Sequence, residues 1–170
     1  MKNKRVNNMK WYVYLICVLV VVATLIFGVV KGMNKEYMVG KNINLKDVSE
    51  FYYTYSATTN PAEYERYHFY IENSKYMFFH QIREADHLPL TEEDAIETQN
   101  IELTDEQWQQ FFSYLEGGKV TKRTESIDTG TKTSLYLYWN KDKAKYNEFT
   151  FETYTKNLEF KKFCNELIGK

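Results

Sequence analysis

The sequence predicts an α+β protein. A single transmembrane helix opens the chain, followed by a domain in which an antiparallel sheet of two hairpins carries two helices on one face. Three observations lead there. Residues 11–30 (WYVYLICVLVVVATLIFGVV) hold no charge. Aromatic-rich runs recur in pairs separated by short polar turns, as strands of hairpins do. Two later segments repeat apolar residues at helical spacing behind N-capping threonines.

The apolar run comes first. A helix over 11–30 rises about 30 Å, the thickness of a bilayer's hydrocarbon core. Trp11, Tyr12 and Tyr14 stand at its start, where amphipathic rings favour the headgroup region, and Lys10 and Lys31 bracket it. A cleaved signal peptide fits less well, because the run is long and no small-x-small site follows it. Lipidation of Cys17 fits poorly too, since Ile16 precedes it and most of the apolar run comes afterwards. Four basic residues precede the span and four follow it at comparable distance. The shortness of the tail favours a cytoplasmic N-terminus and an extracytoplasmic C-terminal domain at the cell membrane. The expected organisation is a basic cytoplasmic tail (1–10), a transmembrane helix in the lipid bilayer (11–30), a stalk (31–47) and a soluble α+β domain (48–170).

Charge divides along the same line. Residues 1–46 carry eight Lys/Arg against Glu36 alone, whereas residues 47–170 carry fourteen against twenty-two Asp/Glu, a net of −8. An acidic domain repels phosphates, so nucleic acid is not an expected partner. Cys17 and Cys164 lie too far apart for an intrachain disulfide, and Cys164 reads as a small hydrophobe in the last helix.

Within the domain, EFYYTYS (50–56) is a strand, and YERYHFYI (64–71) with YMFFHQIR (76–83) makes a hairpin. Residues 100–103 add a short strand. Thr104 and Gln107 form a capping box for a helix with Trp108, Phe111, Phe112 and Leu115 on one face, ended by Gly117 and Gly118. Residues 120–123 read as a strand, and TSLYLYW (133–139) and KYNEFTF (145–151) as a second hairpin. A last helix over 156–168 buries Phe160, Phe163, Cys164 and Leu167. The segments WQQFFSYLEG (108–117) and FKKFCNELIG (160–169) share apolar spacing. Both an old duplication and two amphipathic helices under the same packing rules account for that echo.

FYYTYSATTNP, YERYHFYIENSKYMF, READHLPLTEEDA, LTDEQWQQFFSYLEGG and LYLYWNKDKAKYNEFTF together resemble a family of small proteins from low-GC Gram-positive bacteria. Members often begin with a membrane or lipoprotein-type anchor. The resemblance spans roughly residues 50–168. It implies an extracytoplasmic domain, and because the family has no assigned activity it carries over no functional residues.

Three features are candidate sites. A two- or four-residue turn in the first hairpin puts His68 and His80 on opposite faces, whereas a three-residue turn brings them together as a potential zinc pair. No metal-ligand spacing supports that pair, and no metal or cofactor is expected. Residues 84–106 contain nine acids and no Lys or Arg, but lack the glycine of a calcium loop. Glu92, Glu93 and Asp94 there are expected to open a helical turn and to steer a basic partner. The third feature is the aromatic surplus, fifteen Tyr, with Tyr52, Tyr55 and Tyr67 as expected binding anchors. No nucleophile elbow, P-loop or dinucleotide glycine pattern occurs, so catalytic residues are not assigned and an enzyme is not expected. The functional expectation is an anchored module that binds a surface protein. Cell-wall glycan binding is the alternative, and a carboxylate-based hydrolase the more distant one.

Overall fold

A computed structural model describes residues 11–24, 36–123, 130–139 and 146–170. The chain divides into two units, 1–35 and 36–170. In the first unit the described structure is one helix, α1, over residues 11–24. Among the described residues no helix is long and apolar enough to cross a membrane. This overturns the expected transmembrane helix over 11–30, and with it the single-pass anchor and the extracytoplasmic placement. Residues 25–30 of that run, and the basic tail at 1–10, lie outside the described residues.

The second unit is α+β. Its strands are β1 (Tyr37–Met38), β2 (Glu50–Ala57), β3 (Ala62–Glu72), β4 (Lys75–Ala85), β5 (Ala95–Leu103), β6 (Lys119–Lys122), β7 (Lys132–Tyr138) and β8 (Tyr146–Thr150). They form one sheet in the order β1-β6-β8-β7-β2-β3-β4-β5, every pair antiparallel. Helices α2 (Asp105–Leu115) and α3 (Tyr154–Leu167) complete it.

The first hairpin sets the register. Asn73 and Ser74 both adopt positive φ, 50° and 65°, as a two-residue turn matched to the strand twist requires. Tyr67 therefore faces His80, and His68 faces Phe79. The two histidines fall on opposite faces. The turn expected between 140 and 143 lies outside the described residues.

Alternation then assigns the core. Phe51, Tyr53, Tyr67, Phe69 and Phe78 point to one face and are buried. Both helices cover that face: the Phe69 ring stacks on Phe111 of α2 at 4.1 Å and 6°, and Phe51 meets Phe160 of α3 at 5.4 Å. The capping box of Thr104 with Gln107 starts α2, and Thr153 caps α3 at Lys156. Trp108, Phe111, Phe112 and Leu115 are buried on α2, and Phe160, Phe163 and Cys164 on α3, while Leu167 is half-buried. The echo between the two helix sequences thus falls on equivalent packing positions.

Two segments are more extensive than the sequence pattern indicates. The strand expected at 100–103 begins at Ala95. The stretch read as a stalk joins the core from Tyr37, with Val39 and Ile43 buried. Its anchor is the glycine pair ending α2: Val39 N donates to Gly118 O (2.9 Å), and Gly117 N to Val39 O (3.1 Å). A Cβ at Gly118 would lie 2.5 Å from the Phe149 ring, so only glycine permits this approach.

Phe69 is the centre of the aromatic core, touching Phe78, Phe111, Phe160 and Phe163. Phe69→Ala is expected to cost about 3–5 kcal/mol, the usual range for an emptied aromatic site. Urea unfolding checks this; an unchanged midpoint would show that the rings repack without it.

Candidate functional site

The sheet face opposite α2 and α3 is built from the alternate residues of the same strands. On β2 and β3 these are Tyr52 and Thr54, then Tyr64, Arg66, His68 and Tyr70, all half-buried. Register sets Tyr52 beside His68 on one side and Tyr136 of β7 on the other. Neighbouring rings on a pleated face lie close enough to stack. Tyr52 and His68 do so at 4.0 Å and 10°, and His68 and Tyr70 at 4.5 Å and 16°. Tyr138 meets Tyr52 edge-on at 5.8 Å.

Glu50 ties this row together. The Tyr52 hydroxyl donates to Glu50 Oε2 at 2.7 Å. Burial, reinforced by that bond, pushes the Tyr52 phenol well above its usual range. Burial lowers His68 to about 4, outweighing the pull of the Glu50 carboxylate. The 3.4 Å approach of His68 Nε2 to Glu50 Oε2 therefore joins a carboxylate to a neutral imidazole, and Nε2 is buried without a hydrogen bond.

A cationic cluster lies further along the face. The Arg66 guanidinium sits 4.8 Å from the Phe79 ring centre and the Arg83 guanidinium 5.0 Å from that of Tyr64. Gln81, buried between them, accepts through Oε1 from Arg66 (3.2 Å) and Arg83 Nε (2.8 Å). Its amide nitrogen donates to Glu92 Oε2 at 2.9 Å, and Arg83 donates to Glu92 Oε1. The Gln81 bond, with both arginines, holds the Glu92 carboxyl below its usual range against the opposing effect of burial. Arg66 is less well served: its nearest guanidinium nitrogen is 4.0 Å from Glu92 Oε1, and its Nε is buried without a partner.

The helix-covered face holds a different network. His80 is fully buried, stacked on Tyr67 at 4.9 Å. Its Nε2 is 3.0 Å from Glu65 Oε1, which also accepts from the Tyr67 hydroxyl at 2.7 Å. Its Nδ1 is 3.6 Å from Glu97 Oε1, and Lys170 donates to Glu97 Oε2 at 2.7 Å. Burial raises the Glu65 carboxyl, but the bonds from His80 and Tyr67 outweigh it and the net shift is downward. Burial pushes the Cys164 thiol well up, which keeps it protonated and un-nucleophilic. No group of three metal-ligating side chains occurs among the described residues. An open groove of about 710 Å³ lies elsewhere, lined by Asn44, Leu45, Lys46, Ile71, Tyr76 and Trp108.

The expected anchors do not share one surface. Tyr52 is on the open face, whereas Tyr55 is half-buried on the same face as Phe51. Tyr67 is only 3% exposed, its hydroxyl committed to Glu65. Of the acidic trio, Glu92 is engaged by Arg83 and Gln81. Asp94 Oδ2 accepts from the Thr91 backbone at 2.6 Å, and Asp94 Oδ1 lies 3.2 Å from His87 Nε2. Glu93 is exposed at the surface of the turn Glu92–Asp94. Sequence reasoning considered His68 only as a metal ligand and passed over Arg66, Gln81, Arg83 and Tyr136, although the alternation Tyr64-x-Arg66-x-His68-x-Tyr70 already placed four of this face's residues in line. Comparison with known protein families, curated proteins and solved structures finds no match to this chain.

His68 has a lower pKa folded than unfolded, so the unfolded chain binds its proton first as pH falls. Its contribution to stability is therefore complete above the unfolded value of 6.5 and is lost as pH falls toward about 4. Between pH 6.5 and 4.5 the urea midpoint should fall less steeply in His68→Gln than in the wild type. Equal slopes would exclude His68 as a source of that dependence.

Proposed function

We propose that this protein is an interaction module that docks a partner protein on the sheet face opposite α2 and α3. The carrying observation is the composition and order of that face. Half-exposed Tyr52, His68 and Tyr70 are already stacked, and Arg66 and Arg83 lie over aromatic rings. Tyr and Arg are the residue types that dominate interface hot spots. Side chains ordered before binding lose little entropy on docking. Among the described residues, both helices of the second unit pack on the other face.

A photocrosslinker tests the reading. Placed at Tyr136 in the full chain within its native cells, it should trap a discrete protein adduct. The same group at Lys162, exposed on α3, should trap none, and Tyr52→Ser should reduce the Tyr136 adduct at least fivefold. Equal adducts from both positions, or none from Tyr136, would refute the assignment.

A further inference from the structure

We propose that Arg66, Arg83 and Gln81 form a recognition site for a carboxylate of an acidic peptide segment in the partner, and that Glu92 fills it in cis as a displaceable internal ligand. This deepens the preceding section and rests on its reading of the sheet face as an interface.

The site is built independently of Glu92. Each guanidinium is held by an aromatic ring beside it, and Gln81, itself only 4% exposed, fixes both from below. Arg83 donates to the Glu92 carboxylate, and Arg66 approaches the same oxygen at 4.0 Å. A planar guanidinium recognises such a group best through paired N–H bonds.

Glu92 fills this site incompletely. Its side chain is 69% exposed, and it reaches Arg66 only at 4.0 Å. The Arg66 side chain is still 24% exposed. A strand or loop from another protein, approaching along the face instead of from its edge, can place a carboxylate nearer to Arg66. Charge complementarity chooses the occupant: two cations and an amide donor face a position that already accepts a Glu side chain. The three-residue turn that carries Glu92 is tied down through Thr91 and Asp94, contacts that do not involve the arginines. Glu92 can therefore leave the site while its turn persists.

An internal ligand competes at the effective concentration set by its short tether, of order millimolar. Removing it should strengthen apparent binding in proportion to the fraction of sites it occupies. The probe is an end-blocked peptide of this chain's own sequence, LTEEDA (residues 90–95), titrated calorimetrically against the full chain. We expect Glu92→Ala to bind it at least tenfold more tightly than the wild type. Adding Arg83→Met to Glu92→Ala should abolish that gain.

Equal affinity for wild type and Glu92→Ala overturns the proposal, as does a gain that survives Arg83→Met. Binding of inorganic phosphate without the peptide also overturns it, since the site would then select a different anion. So does loss of cooperative unfolding in Glu92→Ala, which would make Glu92 a structural strut. The Tyr136 crosslink separates the two levels: an adduct undiminished by Arg83→Met keeps the docking face and removes the carboxylate site.

Discussion

The two-residue turn at Asn73 and Ser74 fixes which side of the sheet each residue of β3 and β4 occupies. Side chains alternate with a period of two, so a slip of one residue would exchange the faces completely. Phe69 and Phe78 would leave the helices, and Arg66, His68 and Arg83 would be driven beneath them without partners. The aromatic core and the polar open face are thus two consequences of one register. Strands β2 and β5 inherit it by pairing with β3 and β4 on either side.

The helices read this register from one side. Phe111 and Phe160 occupy the same ring cluster around Phe51 and Phe69, so α2 and α3 stabilise the sheet through a shared core and not as separate units. The chain between them needs its glycines at the exit of α2, where β1 and Phe149 both come close. Residues from Tyr37 onward consequently belong to the same cooperative structure as the central strands.

Charge is handled differently on the two faces. Beneath the helices, Glu65 and Glu97 flank a buried imidazole, and hydrogen bonds from Tyr67 and Lys170 complete the network. On the open face β3 and β4 present arginines laid on rings, beside a carboxylate that is largely in water. The first arrangement positions His80 within a closed core. The second leaves donors directed outward, and for that reason the functional proposals rest there.

Local chemistry written in the sequence determined much of this protein. Alternating aromatics, the capping box at Thr104 and Gln107, and the helical spacing of Trp108, Phe111, Phe112 and Leu115 act between near neighbours, and so specify strands and helices by themselves. The α+β class and the placement of Phe160, Phe163 and Cys164 follow from that. Tertiary structure alone decided which tyrosines are accessible. Tyr52 and Tyr67 both sit in aromatic-rich strands, yet one lies on the open face and the other is buried on the helix-covered face. It also decided that β1 joins β6, that β5 extends back to Ala95, and that Glu92, though largely exposed, bonds to Arg83 and Gln81. The apolar composition of 11–30 predicted a spanning helix, but among the described residues no helix is long and apolar enough to cross a membrane. The common reason is that propensity and periodicity fix conformation over a few residues. Accessibility and pairing depend on which distant strand supplies the opposite side of each contact.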